Sequence, residues 1–220
     1  MHFEILAEAL SGKKALDILV PKIVGTEHTF RIISYKGIGR IPKDLRGKSD
    51  PNKRILLQRL PKQLQGYGDA FSKYPPECPV AVILVCDLDD KCKRAFKNEL
   101  LGILDACNPK PETRFCFAIE ESEAWFLGDI SAIKRAYSRA KTTILDSYIP
   151  DSICGTWEVL ANALYSGGAK KLREGGYRKV GTEKSQWAEK ITPHMDVNNN
   201  TSPSFCYFRE KLSELTRRFE

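Results

Sequence analysis

Residues 80–86 read Val-Ala-Val-Ile-Leu-Val-Cys, apolar at every position and rich in β-branched side chains. A strand with one wet face alternates, whereas a strand covered on both faces does not, so this segment belongs inside a parallel sheet. Three further segments read as strands: 3–7 (FEILA), 28–34 (HTFRIIS) and 114–119 (RFCFAI). Between them lie helical patterns. Leu16, Leu19, Val20 and Ile23 share one face, as do Ile55, Leu56, Leu60 and Leu64. Pro21 and Pro61 are expected to kink or divide these two helices. Asp50-Pro51 reads as the N-cap and first residue of the second. Residues 92–107 form the clearest helix, with Cys92, Ala95, Phe96, Leu100, Ile103, Leu104 and Cys107 at i, i+3, i+4 spacing. The order βαβαβαβ predicts an α/β protein with an open, mainly parallel, Rossmann-like sheet flanked by helices.

Beyond residue 130 the pattern is less regular, with Gly167-Gly168, Gly175-Gly176 and a polar loop over 196–204. Ser202-Pro203 then opens a last helix carrying Phe205, Phe208, Leu212 and Leu215 on one side. This is expected to be a helical extension (131–220) packed on an α/β core (1–130).

Each of three strands ends in acid. Glu8 follows FEILA; Asp87, Asp89 and Asp90 follow VAVILVC; Glu120, Glu121 and Glu123 follow RFCFAI. In parallel α/β sheets, functional groups gather beyond the carboxyl ends of the strands. The chain as a whole carries a formal charge of +7. Carboxylates collected within a basic chain need compensation, and the usual one is a hard cation such as Mg²⁺ bound by oxygen ligands. In Asp87-Leu88-Asp89 the alternation of a strand would turn both carboxylates to one cation. Asp90 reads equally well as a helix cap or a ligand. In the third cluster Glu120 and Glu123 fall one helical step apart, with Glu121 pointing elsewhere. Trp125 reads as core.

These acids resemble the TOPRIM pattern shared by topoisomerases, primases and OLD-type nucleases: a glutamate after the first strand, a D-x-D after the third, and acids downstream. Glu8 matches the first element, Asp87 and Asp89 the second. The run Glu121-x-Glu123-Ala-Trp-Phe-Leu-x-Asp129 is similar to the E-x-E-A segment of OLD-like TOPRIM domains. Tyr177-Arg178-Lys179 and Pro203-Ser204-Phe205 resemble later signatures of an uncharacterised bacterial TOPRIM-like family often encoded beside AAA-type ATPases. One departure is that Ala9-Leu10 follows Glu8, where TOPRIM proteins usually place glycine.

The resemblance implies a Mg²⁺- or Mn²⁺-dependent nuclease, an effector of bacterial defence with an ATPase partner. Glu8, Asp87 and Asp89 would bind metal, and Glu123 or Glu121 would complete the site or hold a second ion. Lys179, with Lys184 second, would offer positive charge to the transition state. The alternative is a non-catalytic TOPRIM-like module that binds nucleic acid or an ATPase. The fold also hosts primase and topoisomerase chemistry; a topoisomerase is disfavoured, since strand passage needs further domains.

Two basic stretches point to a polyanion. Residues 36–62 hold nine Lys or Arg and two Asp, among them Lys36, Arg40, Lys43, Arg46 and Lys48. Residues 170–190 hold seven basic and three acidic side chains, Lys184 included. Gly47-Lys48-Ser49 is not a phosphate-binding P-loop, because Pro42 stands where the loop needs glycine. Seven cysteines without a C-x-x-C pair, and three scattered histidines, argue against zinc or a disulfide framework and for reduced thiols in a cytoplasm. No apolar run approaches the ~20 residues of a membrane span, and the first residues lack the basic region of a secretory signal. Binding to DNA or RNA through such stretches should weaken on the order of 10²-fold between ~50 and ~200 mM salt if about four phosphates are neutralised. Fluorescence anisotropy across a salt series measures this, and a flat response would remove the electrostatic reading.

Overall fold

The computed structural model describes residues 1–42, 51–152 and 155–218. Four strands, β1 (His2–Ala7), β2 (Thr29–Ser34), β3 (Val80–Asp87) and β4 (Thr113–Ala118), form one sheet in the order β2-β1-β3-β4. Every pairing is parallel, with Ala7 opposite both Ser34 and Val85, and Asp87 opposite Ala118. β3 lies inside the sheet and its residues Ala81–Leu84 are fully buried, as an unbroken apolar run requires.

The sheet separates two apolar layers by strand alternation. Leu6, Val82, Leu84, Cys86, Phe115 and Phe117 face α2 (Leu56–Phe71) and α3 (Lys93–Asp105). Phe3, Ile5, Ile83, Val85 and Cys116 face the other way, toward α1 (Leu10–Val24) and α10 (Pro203–Thr216). Among the described residues, six short or medium helices lie between β4 and α10: α4 (Glu123–Leu127), α5 (Ile130–Ala136), α6 (Thr142–Asp146), α7 (Thr156–Leu164), α8 (Gly168–Glu174) and α9 (Gly176–Ile191). Their apolar residues join the same layer as α1 and α10.

Trp125 of α4 joins that layer to the last helix. Its ring stacks on Phe208 at 5.0 Å and meets Phe205 edge-on at 5.5 Å. Its indole N–H donates to Ser204 Oγ at 3.0 Å. Ser202 caps α10 by accepting from the Phe205 N–H, and Pro203 takes the first helical position. The face carrying Phe205, Phe208, Leu212 and Leu215 is buried as its spacing predicted.

Several local expectations are corrected. Pro21 and Pro61 lie within single helices and divide neither; Pro21 falls in the last turn of α1. α2 starts at Leu56, not at Pro51, which opens a separate 3₁₀ turn over Pro51–Lys53. The α2 start is satisfied by backbone: the N–H groups of Leu56 and Leu57 donate to the carbonyls of Gly37 and Ile38. Asp50 lies outside the described residues, as do Lys43, Arg46 and Lys48. Cys86, Cys107 and Cys116 are buried, while Cys92 is exposed at the N-cap of α3. Among the described residues no helix is long and apolar enough to cross a membrane.

Because Trp125 is 2 % exposed and bonded at its one polar atom, Trp125→Ala should cost about 3–5 kcal/mol. Urea denaturation of the two proteins measures the loss.

Candidate active site at the strand ends

The strand order places a topological switch point between β1 and β3, since the chain leaves β1 for one side of the sheet and continues from β3 on the other. A crevice at the carboxyl ends of such a pair is where ligands bind in open α/β sheets. Glu8 and Asp87 occupy that point. The Asp87 N–H donates to Glu8 Oε2 at 3.0 Å, tying the first two acidic stretches together. Ala9, in place of glycine, has ordinary extended backbone (φ −131°), so the turn into α1 asks for no glycine there.

Glu121 and Glu123 arrive from the end of β4 and share one lysine. Lys184 Nζ of α9 donates to Glu121 Oε1 at 3.0 Å. It also lies 3.0 Å from Glu123 Oε2, off the direction of a hydrogen bond, so this contact is purely an ion pair. Glu123 is fully buried, and neither of its oxygens has a hydrogen-bond donor. Glu121 Oε2 is likewise buried and unpartnered. Buried polar atoms are nearly always paired, so orphaned oxygens at one place call for an explanation.

The electrostatics agree. Burial raises the Glu8 carboxyl; the amides of Asp87 and Ile38 and the charge of Lys91 offset this, and Asp89 adds to it. Asp87 is raised well above the usual range by burial, then by repulsion from Glu8, Glu123 and Glu121, against the pull of Lys184. Burial lifts Glu121 to about 7 even with Lys184 beside it. Burial works against the charge of Lys184, but Glu123, Glu121 and Asp87 together hold it protonated. Three carboxyl groups, of Asp87, Glu121 and Glu123, thus act on one half-buried ammonium.

The backbone is strained where these acids are presented. Asp89 (φ 49°) and Glu120 (φ 61°) both adopt the left-handed conformation, and the Asp89 N–H donates to the Glu120 carbonyl. Such a conformation costs a non-glycine residue roughly 1–2 kcal/mol. Strain of this kind clusters at functional sites.

Asp89 departs from the expected arrangement. β3 ends at Asp87, so strand alternation no longer governs Asp89, which is exposed and paired with Lys91 at 2.8 Å. Asp90 is exposed and does not cap α3, whose N-cap is Cys92. Glu120 and Glu121 exchange their expected roles. The Glu120 carboxylate accepts from the N–H and hydroxyl of Thr156 at 2.7 Å each, at the start of α7. Lys179 is exposed and pairs with Glu183 on the surface of α9, so it takes no part in the cluster's ion pairs. Lys36 and Arg40 are exposed in the loop after β2, at the same end of the sheet.

Among the described residues, no three His, Cys, Asp or Glu side chains stand close enough to share one ion. The reason is local. Lys184 holds Glu121 and Glu123, Lys91 holds Asp89, and Glu8 is turned onto an amide. Sequence reasoning ranked Lys184 behind Lys179, yet a signal was present: Lys184 is one helical turn before Trp187 and Ala188, both buried. No protein-family model, curated protein or solved structure matches this chain.

A carboxyl whose folded pKa exceeds its unfolded value binds more protons when folded, so its contribution to stability falls as pH rises. In EDTA, stability should drop between the ordinary 4.5 and the raised value of about 7 at Glu121, by on the order of 1–3 kcal/mol. Glu121→Gln should flatten that slope in urea denaturation; an unchanged slope would contradict the assignment.

Proposed function

We propose that the chain is a metal-dependent nuclease of TOPRIM type, hydrolysing phosphodiester bonds in nucleic acid at the ends of β1, β3 and β4. The observation that carries this is Glu123, fully buried with both oxygens lacking a hydrogen-bond donor. It belongs to a group in which Glu8, Asp87 and Glu121 are all raised, first by burial and then by repulsion from neighbouring carboxylates. An all-oxygen donor set whose charge Lys184 compensates only in part suits a hard divalent cation.

Such an ion, Mg²⁺ or Mn²⁺, would be held by Glu8, Asp87 and Glu123 after the Glu8 and Glu123 side chains turn from the amide and lysine contacts they make here, and it would supply Lewis-acid charge and an activated water when bound. Asp89, outside the cluster and on Lys91, is left with a supporting role through its charge on Glu8. Lys184, protonated and next to Glu121, is the cation placed to meet a phosphate oxygen; Lys179 does not fill that role. Glu121, with a pKa of about 7, is suited to hold or release a proton near neutral pH. Lys36 and Arg40 would draw the phosphate backbone to this end of the sheet. An AAA-type ATPase partner and a place in bacterial defence follow from the family resemblance and belong to the proposal.

A second reading has an observation of its own. Lys184 already neutralises part of the cluster, and no described trio converges on one point. A TOPRIM-like module that binds nucleic acid or an ATPase without cleaving would keep this arrangement.

Cleavage of plasmid DNA and total RNA with Mn²⁺ or Mg²⁺, alongside calorimetric titration of Mn²⁺, separates the two. Asp87→Ala is expected to lower cleavage by ~10²-fold or more, the loss expected for a metal-site residue, while the protein stays folded. Nucleic-acid binding with neither Mn²⁺ uptake nor cleavage would favour the binding module.

A further inference from the structure

A cavity of about 410 Å³ opens beside the acids, sharing Glu121 and Lys184 with them. Its other walls are Trp157 of α7, Arg173 of α8, and Tyr177 and Gly181 of α9. Tyr177 is 98 % exposed. A lone exposed aromatic means little, but this one stands at a concave site with a second aromatic. The guanidinium of Arg173 lies 5.3 Å from the Trp157 ring. Tyr177, Gly181 and Lys184 follow one another at i, i+4 and i+7 along one face of α9. About 10 Å of helix separates the tyrosine from the lysine. An aromatic platform at one end thus leads to the ammonium and carboxylates at the other.

From this arrangement we propose that the cavity takes an unpaired nucleobase, stacked between Tyr177 and the Trp157–Arg173 pair, so that the protein acts on single-stranded nucleic acid. This rests on reading the adjoining acids as a phosphodiester site. Bases in a duplex are covered by their neighbours, and a double helix offers a recess only phosphates and groove edges. An unpaired base has free faces, which aromatic rings and arginine planes bind whatever the sequence. The cavity volume lies within the ~300–1,000 Å³ of ordinary ligand pockets.

Both test positions should leave the fold intact. Tyr177 is solvent-exposed, and a Cβ at Gly181 meets nothing within 4 Å and no positive φ. Gly181→Leu fills the cavity and Tyr177→Ala removes its platform. The probes are fluorescein-labelled DNA and RNA strands of about 12 nucleotides, inside the ~4–16 range of single-strand sites. A duplex of equal length is the control, all in EDTA and at one salt concentration.

The full chain is expected to bind a single strand more tightly than the duplex. Each variant should weaken single-strand binding about tenfold, the loss of one stacked base, and leave duplex binding unchanged. Tryptophan fluorescence should be quenched by the strand, because Trp125 and Trp187 are buried and Trp157 is partly exposed. The sugar bound more tightly names the substrate. Equal binding of strand and duplex, or variants that bind like the parent, would overturn the proposal. The nuclease reading is judged separately: strand binding through the cavity without cleavage sinks the nuclease and keeps the cavity, whereas cleavage and binding untouched by both variants do the reverse.

Discussion

The half-buried ammonium of Lys184 is the interaction on which the carboxyl end of this sheet depends. It stands 3.0 Å from Glu121 and from Glu123 and lies within the field of Asp87. Carboxylates crowded in a low-dielectric place repel one another and take up protons unless a cation is near. Lys184 comes from α9, far along the chain, so the extension does more than cover one face of the sheet. It supplies the charge that lets acids from β3 and β4 meet. One ammonium among Asp87, Glu121 and Glu123 still leaves orphaned oxygens on the two glutamates. That imbalance links the fold to the proposed chemistry.

Strand order matters as much as charge. Because β1 and β3 are neighbours, Glu8 and Asp87 touch although they are 79 positions apart in the chain. The backbone then bends sharply at Asp89 and Glu120, and the two turns bond to each other. One carboxylate is thereby sent outward to Lys91 and another down to the start of α7. The turns decide which acids stay in the crevice.

The readable parts of the sequence were those governed by local periodicity. The apolar run of β3 and the buried face of α10 appear where spacing placed them, and Trp125 lies in the core. The stretches read for charge alone were harder to place. Lys179 and Lys184 belong to one basic run, yet one is on the surface and the other is half-buried, five residues on. Their difference is a rotation around the α9 axis, visible only by following Trp187, Ala188 and Ile191 inward. Cys92 likewise fits a helical face by spacing but sits just outside the helix, exposed.

By itself the sequence determined the α/β class, the four parallel strands and the fact that acid follows three of them, because burial on one or both faces imprints a period on the residues. It also determined the basic balance of the whole chain. Tertiary structure alone decided that Glu121 rather than Glu120 joins Glu123, that Asp89 stays outside, and that Lys184 is the counter-charge. These outcomes turn on where a strand stops and which helix packs over its end. Such contacts join residues far apart in the chain, and no local pattern records them.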